Sequence, residues 1–136
     1  MTRFFMLPGC AVATVMLLGG VGASQAKMDD SWTCTMVEGR EGIAACSRLL
    51  ASTPSVRMYN QRGLLYLSFG SGNPDAAIAD FTAALGLDPK DANAYSNRAK
   101  AYRAKGDRDR AIADETESRR LRDEARRLRQ AGRQGR

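Results

Sequence analysis

Past residue 26, apolar and small side chains recur every three or four positions, and short runs of Gly, Pro, Asn and Asp interrupt them. Tyr59, Gly63 and Tyr66 stand at i, i+4 and i+7, one face of a helix. Ala77, Ile78, Phe81, Ala84 and Leu85 mark one face of a second helix. Gly70 and Gly72 break the first helix. Asn73-Pro74-Asp75 then offers a helix start, with proline in the first turn. Asp88-Pro89 offers a stop, because proline disfavours helix in the residue before it. The small residues Gly63, Ala77 and Ala84 let two antiparallel helices approach closely, while Tyr59, Tyr66 and Phe81 fill the space around them. The pattern predicts an all-α fold.

The sentence is then spelled again. Tyr59 and Tyr95, Gly63 and Ala99, and Tyr66 and Tyr102 stand 36 residues apart. Past the turn, Ala77 and Ala111, and Ile78 and Ile112, stand 34 apart. The first copy therefore carries about two extra residues, Ser71 and Gly72, between its helices. Self-similarity at this period signals a stacked array. A fainter copy precedes both: Ile43 aligns with Ile78, Cys46 with Phe81, Leu50 with Leu85 and Pro54 with Pro89.

The spacing aromatic-x3-Gly/Ala-x2-Tyr, then Ala-x3-Phe-x2-Ala, then Pro resembles the tetratricopeptide repeat. In the first copy the resemblance rests on Tyr59, Gly63, Tyr66, Ala77, Phe81, Ala84 and Pro89. In the second it rests on Tyr95, Ala99, Tyr102, Gly106 and Ala111. It covers Val56 to about Leu121 and implies a right-handed stack of antiparallel helical hairpins, roughly two and a half repeats with a C-terminal capping helix. Residues 27–55 become a degenerate half-repeat, 56–91 the first repeat, 92–125 the second repeat with its capping helix, and 126–136 a basic, irregular tail. Arg62 and Arg98 stand where the family usually has Leu, and their long stems can cover apolar surface. The opening Trp32-x-Cys34 followed by IAACSRLL is similar to short exported repeat proteins of alphaproteobacteria. Trp32 and Cys34 then fall on a truncated first helix facing Cys46.

Glu115 stands in the slot of Phe81. In the family this aromatic packs between neighbouring units, and a terminal unit needs a polar outer face instead. Glu115, Glu117, Arg119 and Arg120 suit a helix whose far side meets water. Leu121, Ala125 and Leu128 continue a thin apolar line, as a fraying extension of that helix does.

The first residues change the picture of where the protein works. Arg3, an apolar run from Phe4 to Val21, and the small residues Ser24 and Ala26 have the layout of a secretory signal cleaved after Ala26. An uncleaved membrane anchor is the alternative, though Pro8, Gly9, Gly19 and Gly20 interrupt the run. Cleavage removes Cys10 and leaves Cys34 and Cys46, an even pair that an oxidising compartment would join. A periplasmic or secreted protein is expected.

Charge is uneven. The chain carries +6, and the segment from Arg119 to Arg136 alone holds eight Arg against two acids. Arg119, Arg120, Arg122, Arg126, Arg127 and Arg129 make a basic end able to attract anionic lipid headgroups or an acidic partner. Nucleic acid is disfavoured, since no aromatic residue interleaves with these arginines to stack on bases. An electrostatic tether at an anionic surface is one functional reading.

Chemistry is sparse. There is no His, which removes the usual general base and the commonest metal ligand. Asp75, Asp80, Asp88, Asp91, Asp107, Asp109 and Asp114 are scattered, several at helix starts where they cap amides. No phosphate loop, metal-ligand spacing or nucleophile elbow appears, so neither catalysis nor a cofactor or metal is expected. Binding is the better reading. In the resembling family, first helices line a concave surface that holds peptides. Here that surface carries Asn60, Gln61, Leu64 and Leu67, then Asn97, Lys100, Arg103 and Ala104. A peptide with acidic or C-terminal character suits Asn97, Lys100 and Arg103.

Overall fold

The structure is a computed structural model that describes residues 30–69 and 72–134. The expected signal segment and its cleavage point lie outside the described residues, as does Ser71 of the inserted pair. The described chain is helical: α1 over 30–36, α2 Gly39–Ser52, α3 Val56–Ser68, α4 Pro74–Leu87, α5 Ala92–Lys105 and α6 Arg108–Gln134. Consecutive helices from α2 to α6 pack on one another, and α3 also touches α5. The result is three stacked hairpins, α1/α2, α3/α4 and α5/α6.

Local sequence sets the helix ends. The Asn73 side chain accepts the Ala76 amide at 3.1 Å, ahead of Pro74 in the first turn of α4. Asp91 accepts the Asn93 amide at 2.9 Å and starts α5. Gly106 closes α5 at φ +87°, a left-handed conformation that costs glycine nothing, and Asp107 caps α6 by accepting the Arg110 amide.

Each junction buries its own apolar cluster. Ala77, Phe81 and Ala101 meet Tyr66, Leu67 and Ile78. Ala84, Leu85 and Ala94 meet Val56, Tyr59 and Tyr95. Phe81 is therefore sandwiched between its own hairpin and the next, as the repeat pattern implied. Its ring occupies the room that Gly63 leaves: a Cβ on Gly63 would sit 2.6 Å from a ring carbon of Phe81. In the last hairpin Ala99 replaces Gly63 and Glu115 replaces Phe81, and Ala99 is buried with Tyr102 and Ala111.

The last hairpin shows how the stack is closed. Relative to α4, Phe81 becomes Glu115, Ala84 becomes Ser118 and Leu85 becomes Arg119. Glu115 is ion-paired with Arg103, and the Ser118 hydroxyl donates to the Ala92 carbonyl at 2.7 Å. Ile112 keeps the identity of Ile78 but not its cover. Ile78 packs on Ala99, Tyr102 and Ala111, whereas Ile112 is 61% exposed.

Two expectations are corrected. The stretch from 126 to 134, expected to be irregular, is helical: the closing helix α6 is one helix of 27 residues that runs through Gln134. Arg, Leu, Ala and Gln are strong helix formers, and Arg120 bridges Glu117 and Glu124 at i−3 and i+4. Trp32 does not face α2 either; it is 63% exposed.

Cys34 lies on α1 and Cys46 on α2. They form a disulfide and are fully buried, packed with Ala45, Leu65 and Met58. Arg48 adds a bidentate bond to Asp30 from α2 and holds that carboxyl below its usual pKa range. The clip ties α1 to α2 beside the ion pair. Closing a loop with a sequence separation of 12 contributes roughly 2–3 kcal/mol in the chain-entropy model. Urea unfolding with and without reductant is expected to show a loss of that size. An unchanged midpoint would mean that α1 is held by other contacts.

Candidate partner-binding groove

The first helix of each hairpin faces a shared surface. Between α1, α3 and α5 it forms a groove of about 480 Å³. Met36 and Leu64 give it exposed apolar walls, Leu67 adds to the floor, and Gln61 and Lys100 supply an amide and an ammonium group. Glu38, in the loop after α1, puts a carboxylate at the same rim.

Of the eight residues expected on this surface, the structure brings Gln61, Leu64, Leu67 and Lys100 together. Asn97 stands behind Lys100, its side-chain oxygen 3.3 Å from Nζ. Asn60 and Arg103 are engaged within the fold. Asn60 donates to Asp91 Oδ2 at 2.7 Å, and Asp91 caps α5 with its other oxygen, so this pair ties α3 to the start of the next hairpin. Its own side-chain oxygen is buried without a partner. Arg103 reaches Glu115. Ala104 is exposed on α5.

Behind the groove each of the last two hairpins is locked by an acid that the sequence presents only as one of a scattered set. Asp80 and Asp114 are not helix caps. Both lie mid-helix and buried, and each receives a bidentate guanidinium from the first helix of its hairpin. Arg62 Nε and Nη2 donate to Asp80 at 2.8 and 2.6 Å, and Nη1 donates to Ser47 Oγ of the preceding hairpin at 2.9 Å. Arg98 repeats the arrangement with Asp114 at 2.7 and 2.9 Å and Thr82 Oγ1 at 3.1 Å. Arg62 also lies over Tyr59, and Arg98 over Tyr95 and Tyr102. The hydrogen bond to the partner carboxylate holds each guanidinium pKa above its ordinary value. One arginine thus locks both helices of a hairpin and touches the hairpin before it. The signal was present in the sequence: Ala-Ile-Ala-Asp occurs at 77–80 and again at 111–114, with Arg at 62 and 98.

The basic end divides in two. Arg120 is bound by Glu117 and Glu124. Arg119, Arg122, Arg126, Arg127 and Arg129 project from α6, and the described residues give them no ion-pair partner within 4.0 Å. Among the described residues, no helix is long and apolar enough to cross a membrane, and no group of three or more His, Cys, Asp or Glu could hold a metal ion.

Stacked antiparallel hairpins, with their first helices along one groove, define the class of helical-hairpin repeat proteins. Residues 68–113, a third of the chain, match the family model described as Tetratricopeptide repeat. The match runs from the end of α3 through α4 and α5 into the first turn of α6, so this segment is similar to the tetratricopeptide repeat. No curated protein and no solved structure matches the chain. Repeats of this family generally mediate protein–protein interaction and are generally not enzymes.

Proposed function

We propose that the chain is a non-enzymatic interaction module that holds an extended segment of a partner protein in the groove between α1, α3 and α5. The observation that carries this reading is the convergence of Met36, Leu64 and Leu67 with Gln61 and Lys100 on one concave wall. Apolar walls take up side chains of the bound segment. The Gln61 amide can both donate to and accept from its backbone, and Lys100 favours a carboxylate, at an acidic side chain or a chain end. Asn97 holds the ammonium group in place. We assign the protein to an exported, oxidising location; the buried Cys34–Cys46 disulfide and the signal-like layout of residues 1–26 support this.

Crosslinking and pull-down from extract should recover a partner with the native chain. Leu64→Arg with Lys100→Glu should lower recovery about tenfold, since central apolar contacts and a charge are lost together. Both side chains lie at the surface, so the melting temperature should hold. Undiminished recovery with the doubly substituted chain would remove the groove from the function.

A further inference from the structure

The second half of α6 has no structural role in the stack. Ala111, Asp114, Ser118 and Leu121 are its buried line, spaced alternately by three and four residues and packed on α5. The same alternation continues to Ala125 and Leu128. The cover thins, leaving Ala125 half-buried and Leu128 exposed, because α5 begins at Ala92, whose carbonyl accepts the Ser118 hydroxyl. From Arg122 to Gln134, α6 reaches about 20 Å past its neighbour at 1.5 Å per residue. Leu128, on the continued seam, is 68% exposed.

Beside this seam runs a second line with the same spacing: Arg119, Arg122, Arg126, Arg129 and Arg133. Among the described residues none of the five has a carboxylate within 4.0 Å. Of the acids nearby, Glu115 is held by Arg103 and Glu124 by Arg120, and Asp123 borders the stripe without an ion-pair partner among the described residues. An apolar seam repeating at three and four, with like charges along its flank, is the pattern by which one helix selects another of opposite charge. The small Ala125 allows close approach.

We propose that this overhang docks an acidic amphipathic helix of a partner protein, with an apolar ridge on Ala125 and Leu128 and carboxylates against Arg122, Arg126 and Arg129. The charge decides the occupant. A second copy of this chain would set arginine against arginine. A helix lying in a lipid interface needs a broad apolar face with bulky residues, and this one offers a single leucine and an alanine. The proposal is independent of the groove, since none of these residues lines it.

The test uses the full chain and a labelled synthetic helical peptide of about three heptads, with Leu along the seam and Glu on its flanks. A peptide of the same composition in permuted order, phosphatidylglycerol vesicles and a single-stranded oligonucleotide complete the set. The ordered peptide should bind at least about tenfold more tightly than the permuted one, because only it presents seam and charge together. Arg122→Glu with Arg129→Glu should abolish that advantage, and Leu128→Gln should reduce it about tenfold. Neither should move the melting temperature, as all three residues are exposed. Equal binding of the two peptides would reduce the stripe to general anion attraction and overturn the proposal. Stronger association with vesicles or oligonucleotide than with the ordered peptide would do the same.

Discussion

Asp80→Ala is expected to cost about 4 kcal/mol of folding stability, read from the urea midpoint at an unchanged slope. Two bonds to Arg62 disappear, and the guanidinium is left mostly buried between α3 and α4 with only Ser47 and the Tyr59 ring for company. The penalty comes mainly from that stranded charge. Attraction between the partners contributes less, because desolvating two ions offsets most of what their pairing returns. The two terms separate in a second variant. Arg62→Met combined with Asp80→Leu removes both charges and keeps an apolar fill, so it should lie within about 1 kcal/mol of the native chain. Asp114→Ala should resemble Asp80→Ala, since Arg98 and Asp114 are buried to a similar degree. A loss under about 1 kcal/mol for Asp80→Ala would class the pair with ordinary surface bridges.

This pair also shows where reading a sequence stops. Apolar spacing identifies the packed face of each helix, and Asn73-Pro74 and Asp88-Pro89 mark the two ends of α4 that the structure reproduces. Those signals are local, spanning a turn or two. Arg62 and Asp80 are 18 residues apart on different helices. A charged residue on a helix looks the same in sequence whether it meets water or a partner, so Asp80 read as one of several scattered acids. The groove met the same limit. Whether Arg103 faces a ligand or Glu115 depends on how α5 is turned against α6, which no single-helix pattern encodes. The reach of α6 was more legible than it was read. Its residues favour helix, and the thin line of Leu121, Ala125 and Leu128 continues the spacing of the buried residues before it.

The Phe81 site carries the other large effect, and its sign pattern is more diagnostic than its size. Phe81→Ala should cost about 4 kcal/mol, since a fully buried ring between two hairpins leaves a cavity that rigid helices cannot close. Gly63→Ala taken alone sets two effects against each other. Alanine in a helix is favoured over glycine by roughly 0.5–1 kcal/mol. Against that, the new methyl would stand 2.6 to 3.0 Å from three atoms of the Phe81 ring, which is itself packed on Ala77 and Ala101 and has little room to retreat. Overpacking of this kind costs roughly 1–3 kcal/mol, so steric strain wins and the single variant is destabilised. Introduced into the Phe81→Ala chain, the same Gly63→Ala should become stabilising by about 1 kcal/mol, because the methyl then enters vacant space and the propensity gain is unopposed. The last hairpin already has this arrangement, with buried Ala99 opposite the slot that Glu115 occupies. Ala99→Gly should accordingly lose stability where its counterpart Gly63 gains it from having no side chain. A Gly63→Ala chain more stable than the native one would mean that the ring can move aside, and that the two hairpins are not held at the spacing on which the groove depends.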